Sequence, residues 1–272
     1  MSALLFHDGH FLRDDSLLAG AGNRGLRYGD GVFETMKLNL GRIQLGEQHM
    51  ERLFSGLKLL EFDCPAYFNG PYLLDKITQL ANRNSHNRLT RIRVMVFRGN
   101  GGLYDAENNY PHHVIQSWAL PEANHHWNEN GLVMGIHRRA RKSVDILANC
   151  KTNNYLPYVL GALEAKHQKW NDAVMLNSNG RICEATIANL FLVKDKRIIT
   201  PSLDEGPVAG IMRQYILDKL GSLQLACDQQ PVTEGLLLEA DEVFLTNSAY
   251  GLRWVGEIGD RRYGNQLSEQ LY

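Results

Sequence analysis

The sequence predicts an α/β (α+β) protein of two domains, and three observations predict it. Its 272 residues suit one large domain or two of ordinary size, and two are favoured because cores commonly split near that length. Alternating, strand-like stretches and helical hydrophobic stretches follow one another along the chain. The polar stretch EANHHWNENG after Pro121 interrupts both patterns, so 1–120 reads as an N-terminal domain, 121–130 as a linker and 131–272 as a C-terminal domain.

Each element follows from local pattern. FETMKLNLGRIQL alternates around Gly41 like a hairpin, and Met50, Leu53, Phe54, Leu57 and Leu60 then recur at helical spacing. GPYLLDKITQLANRN reads as a second helix. LTRIRVMVFRG is a strand with Ile92, Val94 and Val96 on one face and Arg91, Arg93 and Met95 on the other, and HHVIQSWAL is a further strand. After the linker come the strand LVMGIHRRARK and a helix that Asn153 or Asn154 caps, with Pro157 in its first turn and Val159, Leu160 and Leu163 as its apolar stripe. DAVMLNSNGRICEATIANLFLVKDKRIITP reads as a meander turning at Asn179-Gly180 and at Lys194 to Lys196. VAGIMRQYILDKLG is a helix opening at a small-residue turn, and ADEVFLTNSAYGLRWV a strand followed by a polar loop.

Composition excludes several function classes. With 44% hydrophobic and 22% charged residues the chain is of the soluble globular kind, and no apolar run reaches the roughly 20 residues of a membrane span. Lys and Arg number 29 against 30 Asp and Glu, so nothing points to nucleic acid or a membrane surface; the expected partner is a small molecule. The N-terminus MSALLFHDGHFLRDD has neither a basic leader nor a long apolar segment and reads as mature sequence. Cys64, Cys150, Cys183 and Cys227 lack zinc spacing and suit reduced thiols in the cytoplasm. The pairs His112-His113 and His125-His126 lack the spacing of a metal site and read as surface loop, so no metal is expected.

Gly20, Gly22 and Gly25 form a literal G-x-G-x-x-G, but the context is wrong for a dinucleotide. Arg13, Asp14 and Asp15 stand where a strand is needed, and Gly29 and Gly31 would break a helix beginning within the run. Lys151 is more informative. It lies between a strand-like stretch and a helix start, whose dipole disfavours an ammonium, and partial burial beside Tyr155 would act the same way; a nucleophilic amine suited to a Schiff base is one reading. A solvated loop lysine is the other, and most lysines are solvated. Glu184, among apolar and small residues, is either half of a structural ion pair or the partner of a protonated ring nitrogen. Phosphate needs N–H groups and hydroxyls, offered at Gly210-Ile211-Met212 and at Thr246-Asn247-Ser248, with Arg52 as a fixed charge. Together these are the parts of a pyridoxal phosphate site.

The segments RGLRYGDGVFETMK, EQHMERL, RIRVMVFRGNGG, KTNNYLPYVLGALEAK, DAVMLNSNGRICEATIANLFLV, VAGIMRQ and ADEVFLTNS carry a resemblance over nearly the whole chain to the class IV, or fold type IV, pyridoxal-phosphate enzymes. That family comprises branched-chain and D-amino-acid aminotransferases and 4-amino-4-deoxychorismate lyase. The resemblance implies a D-amino-acid-aminotransferase-like fold with the site in the cleft between two domains, and a homodimer in which the other subunit contributes a loop. It implies that Lys151 forms the Schiff base and moves the substrate proton, and that Glu184 binds the pyridine nitrogen. It further implies that Arg52, the backbone of Ile211 and Met212, and Asn247 with Ser248 hold the phosphate, and that Tyr155 lies near the cofactor's 3′ oxygen, although one residue closer to the lysine than in branched-chain enzymes. Tyr28, Phe33 and Thr35 become substrate-side candidates.

The lysine and the glutamate serve every member, so the pocket decides the reaction. RGLRYGDGVFETMK and GIMRQ resemble the lyase wording, whereas branched-chain enzymes usually carry threonine in place of Met212. The expected activity is elimination of pyruvate from aminodeoxychorismate to give 4-aminobenzoate, a step of folate biosynthesis, with Arg91 and Arg93 placed to receive a carboxylate. Many such lyases read R-G-x-G-G-R-G-Y, and Leu103 replaces the second arginine, which keeps an aminotransferase in contention. A cofactor-binding regulator without turnover is a third class, against which the presence of both Lys151 and Glu184 argues.

Overall fold

The computed structural model describes residues 3–272, apart from the side chains of Asn124 and His125. The chain divides into two compact units: residues up to Glu122 together with Cys150–Asn154, and Ala123–Asn149 together with Tyr155–Tyr272.

The first unit runs β1 (Leu4–His7), β2 (His10–Arg13), α1 (Arg24–Tyr28), β3 (Gly31–Asn39), β4 (Arg42–Ile43), α2 (Gly46–Leu59), α3 (Gly70–Arg83), β5 (Thr90–Arg98) and β6 (Pro111–Ala119). Its sheet is antiparallel in the order β2-β1-β6-β5-β3-β4. The strand pattern holds: Ile92, Val94 and Val96 are fully buried with Met50, Leu53 and Leu57 of α2 and Leu73, Ile77 and Leu80 of α3. Asn69 caps α3 by accepting from Tyr72 N at 3.0 Å, and Pro71 occupies the first turn, where no helical N–H is lost. The β1–β2 hairpin went unread, because HFLR is only half-buried and alternates weakly.

The glycine run is not a dinucleotide loop. Asn23 caps the short α1 and Gly29, at φ 65°, ends it, while Gly20 has open space around it. Close approach matters instead at Gly31, where a Cβ would stand 2.2 Å from the Val96 carbonyl oxygen and 2.6 Å from Asn153 Nδ2. The glycine lets the 150–154 segment lie against the start of β3: Phe33 N donates to Lys151 O at 2.9 Å and Asn153 N to Gly31 O at 2.9 Å.

The second unit contains β7 (Leu132–Lys142), α4 (Leu156–Gln168), β8 (Asp172–Asn177), β9 (Ile182–Ala185), β10 (Asn189–Lys194), β11 (Arg197–Pro201), α5 (Ile211–Ser222), β12 (Cys227–Gln230), α6 (Glu234–Glu239), β13 (Glu242–Asn247), β14 (Gly251–Ile258), β15 (Arg261–Arg262) and α7 (Gln266–Leu271). Its mixed sheet is ordered β12-β11-β10-β13-β14-β7-β8-β9, with β15 beside β14. β10 has cores on both faces: Leu190 and Leu192 pack on one side, Phe191 and Val193 on the other, where Phe191 stacks on Phe244 at 5.0 Å. The turns at Gly180 and at Asp195-Lys196 have the positive φ values their sequences demand.

Four expectations are corrected. His112 and His113 lie in β6, not in a surface loop: Asp8 accepts from His112 Nδ1 at 2.6 Å and from His113 N at 2.8 Å, and His113 is buried. The side chain of His125, half of the other pair, lies outside the described residues. Neither Asn153 nor Asn154 caps α4; Tyr155 occupies the cap position without a capping bond, because Asn153 is committed to the Gly31 and Val96 backbone. Val159, Leu160 and Leu163 face outward, 43–47% exposed, whereas Tyr158, Gly161 and Ala165 face the sheet. The segment after β13 is a tight turn into β14, not a loop, since Gly251 at φ 81° starts a second strand within four residues.

Candidate active site

In the first unit, register brings most of the candidate pocket residues onto one sheet face. Thr35 lies directly opposite Arg93, Phe33 opposite Met95, and Lys37 opposite Arg91, and opposed residues of an antiparallel pair share a face. The Arg93 guanidinium sits 4.2 Å from the centroid of the Phe33 ring, and Lys151 Nζ 4.5 Å from the same centroid. A cation close to the face of an aromatic ring is held there electrostatically. Phe33 is therefore a shared platform for a guanidinium and an amine, at the end of β3 that the Lys151 backbone also binds. Tyr28 ends α1, half-buried, with Arg27 4.9 Å from its ring. Arg91 stands apart: it is exposed and rests over the exposed Trp118 ring at 4.5 Å.

On the opposite, apolar face of β3 lies a carboxylate to which the sequence reading gave no role. Glu34 is 1% exposed among Val32, Met36 and Leu38. Arg52 of α2 donates to it twice, Nε to Oε1 at 2.7 Å and Nη2 to Oε2 at 2.6 Å, and His49, one helical turn earlier, contacts Oε2 through Nδ1 at 2.7 Å. Burial pushes the Glu34 pKa up, but the Arg52 charge and the His49 and Arg52 hydrogen bonds outweigh it and bring it down to about 2. The carboxylate is thus ionised at neutral pH.

In the second unit Glu184 is 3% exposed on β9. Lys142 Nζ donates to its Oε1 at 2.6 Å, Tyr158 OH to the same oxygen at 2.5 Å, and Val208 N reaches both oxygens at 3.1–3.2 Å. Burial and the neighbouring glutamate charge hold the Tyr158 hydroxyl well above its usual pKa, so it remains a proton donor. Tyr155 stacks on Tyr158 at 4.2 Å and donates to Thr186 O at 3.3 Å. Glu184 thus has a cation beside it, Lys142, and is a buried acceptor of several hydrogen bonds, which leaves both alternatives open.

Asn189, inside the E-A-x-x-x-N motif, joins this acid to the helix start. Its Nδ2 donates to Val208 O at 2.9 Å and lies 3.4 Å from Glu184 Oε2, while a Cβ on Gly210 would stand 1.8 Å from its Oδ1. Only glycine permits that approach. Gly210 caps α5 without a side-chain bond, so the N–H groups of Ile211 and Met212 open the positive end of a twelve-residue helix with no carbonyl partner inside it. Asn189 also pairs in register with Thr246, whose hydroxyl is buried without a hydrogen-bond partner among the described residues, and Ser248 follows half-buried two positions on. The Asn247 side chain is used within the protein: it accepts from Ala249 N and Tyr250 N at 2.9 and 3.1 Å and donates to Ile187 O at 3.2 Å. An anion-binding helix start tied through one asparagine to a buried carboxylate fits a group with a phosphate at one end and a basic ring nitrogen at the other. Among the described residues no cluster of His, Cys, Asp and Glu could hold a metal, and no helix is long and apolar enough to cross a membrane.

The family model for amino-transferase class IV matches residues 31–258. The chain is 31% identical over 239 residues to an aminodeoxychorismate lyase of Vibrio harveyi, covering 87% of this chain and 86% of that one. It is 28% identical over 265 residues to a Methanocaldococcus jannaschii protein named for branched-chain-amino-acid aminotransferase activity, covering 96% and 90%. Its fold superposes on the branched-chain aminotransferase of Thermoproteus uzoniensis, crystallised with norvaline, with a TM-score of 0.90 at 22% identity, over 100% of this chain and 92% of that one. The chain belongs to the class IV aminotransferase family and is a pyridoxal-phosphate-dependent enzyme.

Proposed function

We propose that this class IV enzyme is a 4-amino-4-deoxychorismate lyase that releases pyruvate and 4-aminobenzoate, and so serves folate biosynthesis. The observation that carries the reading is the Phe33 platform: a guanidinium suited to a carboxylate is held beside the amine of Lys151, which suits an anionic ring substrate carrying an amine. The choice of lyase is supported by the Vibrio harveyi relative at 31% identity.

Pyridoxal phosphate, when bound, supplies an aldehyde for the substrate amine and a ring that withdraws the electrons left by loss of the neighbouring proton. Lys151 provides the amine that holds that aldehyde at rest and then removes the proton from the ring carbon bearing the substrate nitrogen. Glu184, kept as an acceptor by Lys142, Tyr158 and Val208 N, would hold the ring nitrogen. Arg52, the N–H groups of Ile211 and Met212, and Ser248 take the phosphate, with Asn247 contributing through its backbone because its side chain is committed elsewhere. Arg93 receives a substrate carboxylate, and Phe33, Thr35 and Tyr28 line the substrate side. The proton taken from the ring carbon balances the one given to the departing enolpyruvate, which ends as pyruvate, and aromatisation of the ring drives the step.

We take the enzyme to work in the cytoplasm as a homodimer. Cys64, Cys183 and Cys227 form no disulfide, in keeping with a reducing compartment, and the outward apolar side chains Leu156, Val159, Leu160 and Leu163 of α4 support a covering subunit. An aminotransferase is the second reading, favoured by the exposed Leu103, which supplies no charge for a second carboxylate. Aminodeoxychorismate offered alone, and branched-chain or D-amino acids offered with 2-oxoglutarate, separate the two. Pyruvate with 4-aminobenzoate from the first and no amino transfer in the second is the expected outcome; the reverse result overturns the lyase.

A further inference from the structure

We infer that Glu34 is the positioning residue for Arg52, selecting for the phosphate monoester of the cofactor by fixing the plane of that guanidinium. The inference rests on the reading of Arg52 as a phosphate ligand and deepens it.

Four observations carry it. Glu34 occupies a strand position whose neighbours on the same face, Val32, Met36 and Leu38, are fully apolar and buried, so a carboxylate there is costly unless something needs it. Its two oxygens engage Nε and Nη2 of Arg52 at 2.7 and 2.6 Å, the fork-on-fork geometry that fixes both the plane and the rotation of a guanidinium. The opposite edge of the same plane, carrying Nη1, is thereby directed away from Glu34. Finally, His49 holds Oε2 at 2.7 Å from the same helix face as Arg52, so the carboxylate cannot swing to a second rotamer without losing three contacts.

An ion pair that merely fastens α2 to β3 would need none of this directionality. A flexible arginine recognises a charge, whereas a guanidinium locked in one plane recognises two oxygens set at the spacing of a phosphate or carboxylate edge. Glu34 therefore acts on the phosphate only through Arg52, and its removal is felt by ligands that carry the phosphate and not by those that lack it.

The test compares equilibrium binding of pyridoxal phosphate and of unphosphorylated pyridoxal to the apoprotein, followed by the absorbance of the bound chromophore. Glu34→Gln is expected to weaken pyridoxal phosphate roughly tenfold and leave pyridoxal unchanged. Glu34→Asp keeps the charge but shortens its reach, and is expected to lose the same preference; it supplies the measurement if the glutamine variant does not fold. Equal changes for both ligands, or none for either, overturn the inference and leave Glu34 as a fastening. Arg52→Lys distinguishes the underlying reading: if the phosphate preference survives that substitution, Arg52 is not the phosphate ligand and the inference falls with it. If Arg52→Lys abolishes the preference while both Glu34 variants keep it, the phosphate reading stands and the positioning role alone is overturned.

Discussion

Glu34 and Glu184 are two buried carboxylates on strands, each 3% exposed or less and each facing a cation, yet they are built differently. Glu34 draws both of its side-chain partners from a single helix, one turn apart. Glu184 draws on β7, α4 and the backbone before α5, and Asn189 of β10 touches it as well. A carboxylate held from one direction aims whatever holds it. One held from three keeps its own position while a further donor approaches. The contrast agrees with the roles proposed above, orientation of a neighbour for the first and direct contact with a ligand for the second.

Lys151 sets the scale against which both are measured. Lys151→Ala is expected to lose the borohydride-stable cofactor linkage and to reduce turnover on the order of 10³-fold or more; a variant that still forms the linkage refutes the assignment of the lysine. Next in size, Glu184→Gln should lower kcat per folded molecule by roughly 10²-fold, over and above the stability lost by leaving the Lys142 ammonium without its anion. If stability collapses while kcat per folded molecule holds, Glu184 is a structural pair and the contrast breaks.

Removing a cation sharpens it further. Lys142→Met leaves the Glu184 charge without its cation and is expected to cost about 4 kcal/mol in urea unfolding. A loss near zero would show that the hydrogen bonds alone carry that carboxylate. The smallest effect is in the pH dependence of Glu34. Its pKa is about 2 in the folded protein against the ordinary 4.5 of a glutamate, so the stability it contributes is complete above pH 4.5 and is lost as pH falls toward 2. The loss amounts to about 3 kcal/mol, and the acid limb of the stability curve should flatten in Glu34→Gln; an unchanged limb would place the titration elsewhere.

Much of the fold was legible because hydrophobic period and burial agree. Met50, Leu53 and Leu57 point inward as their spacing requires, and Ile92, Val94 and Val96 do the same on β5. The helix α4 shows where that logic ends. Periodicity identifies a face but not what covers it, and Tyr158, Gly161 and Ala165, of mixed polarity and size, took the inward side. Family resemblance singled out Lys151, Glu184 and Arg52, while their supports escaped notice. Lys142 closes a run of basic residues and looks like surface charge, and Asn189 looks like a polar accident in ANLFLV. The visible signal was Glu34 itself, an acid at a strand position where Val32, Met36 and Leu38 are all apolar.

The segment 150–154 has a consequence for how the molecule can be taken apart. The chain passes from one unit to the other at 122, back at 149 and across again at 154, so no single cut separates them. A fragment ending at residue 122 lacks the acceptor for Phe33 N and the donor for Gly31 O, and leaves the start of β3 as a bare edge. Lys151, the proposed Schiff-base residue, thus joins the first unit from a later stretch of the chain. A chain cut at residue 122 therefore parts that lysine from the strand whose Phe33 N its carbonyl accepts from.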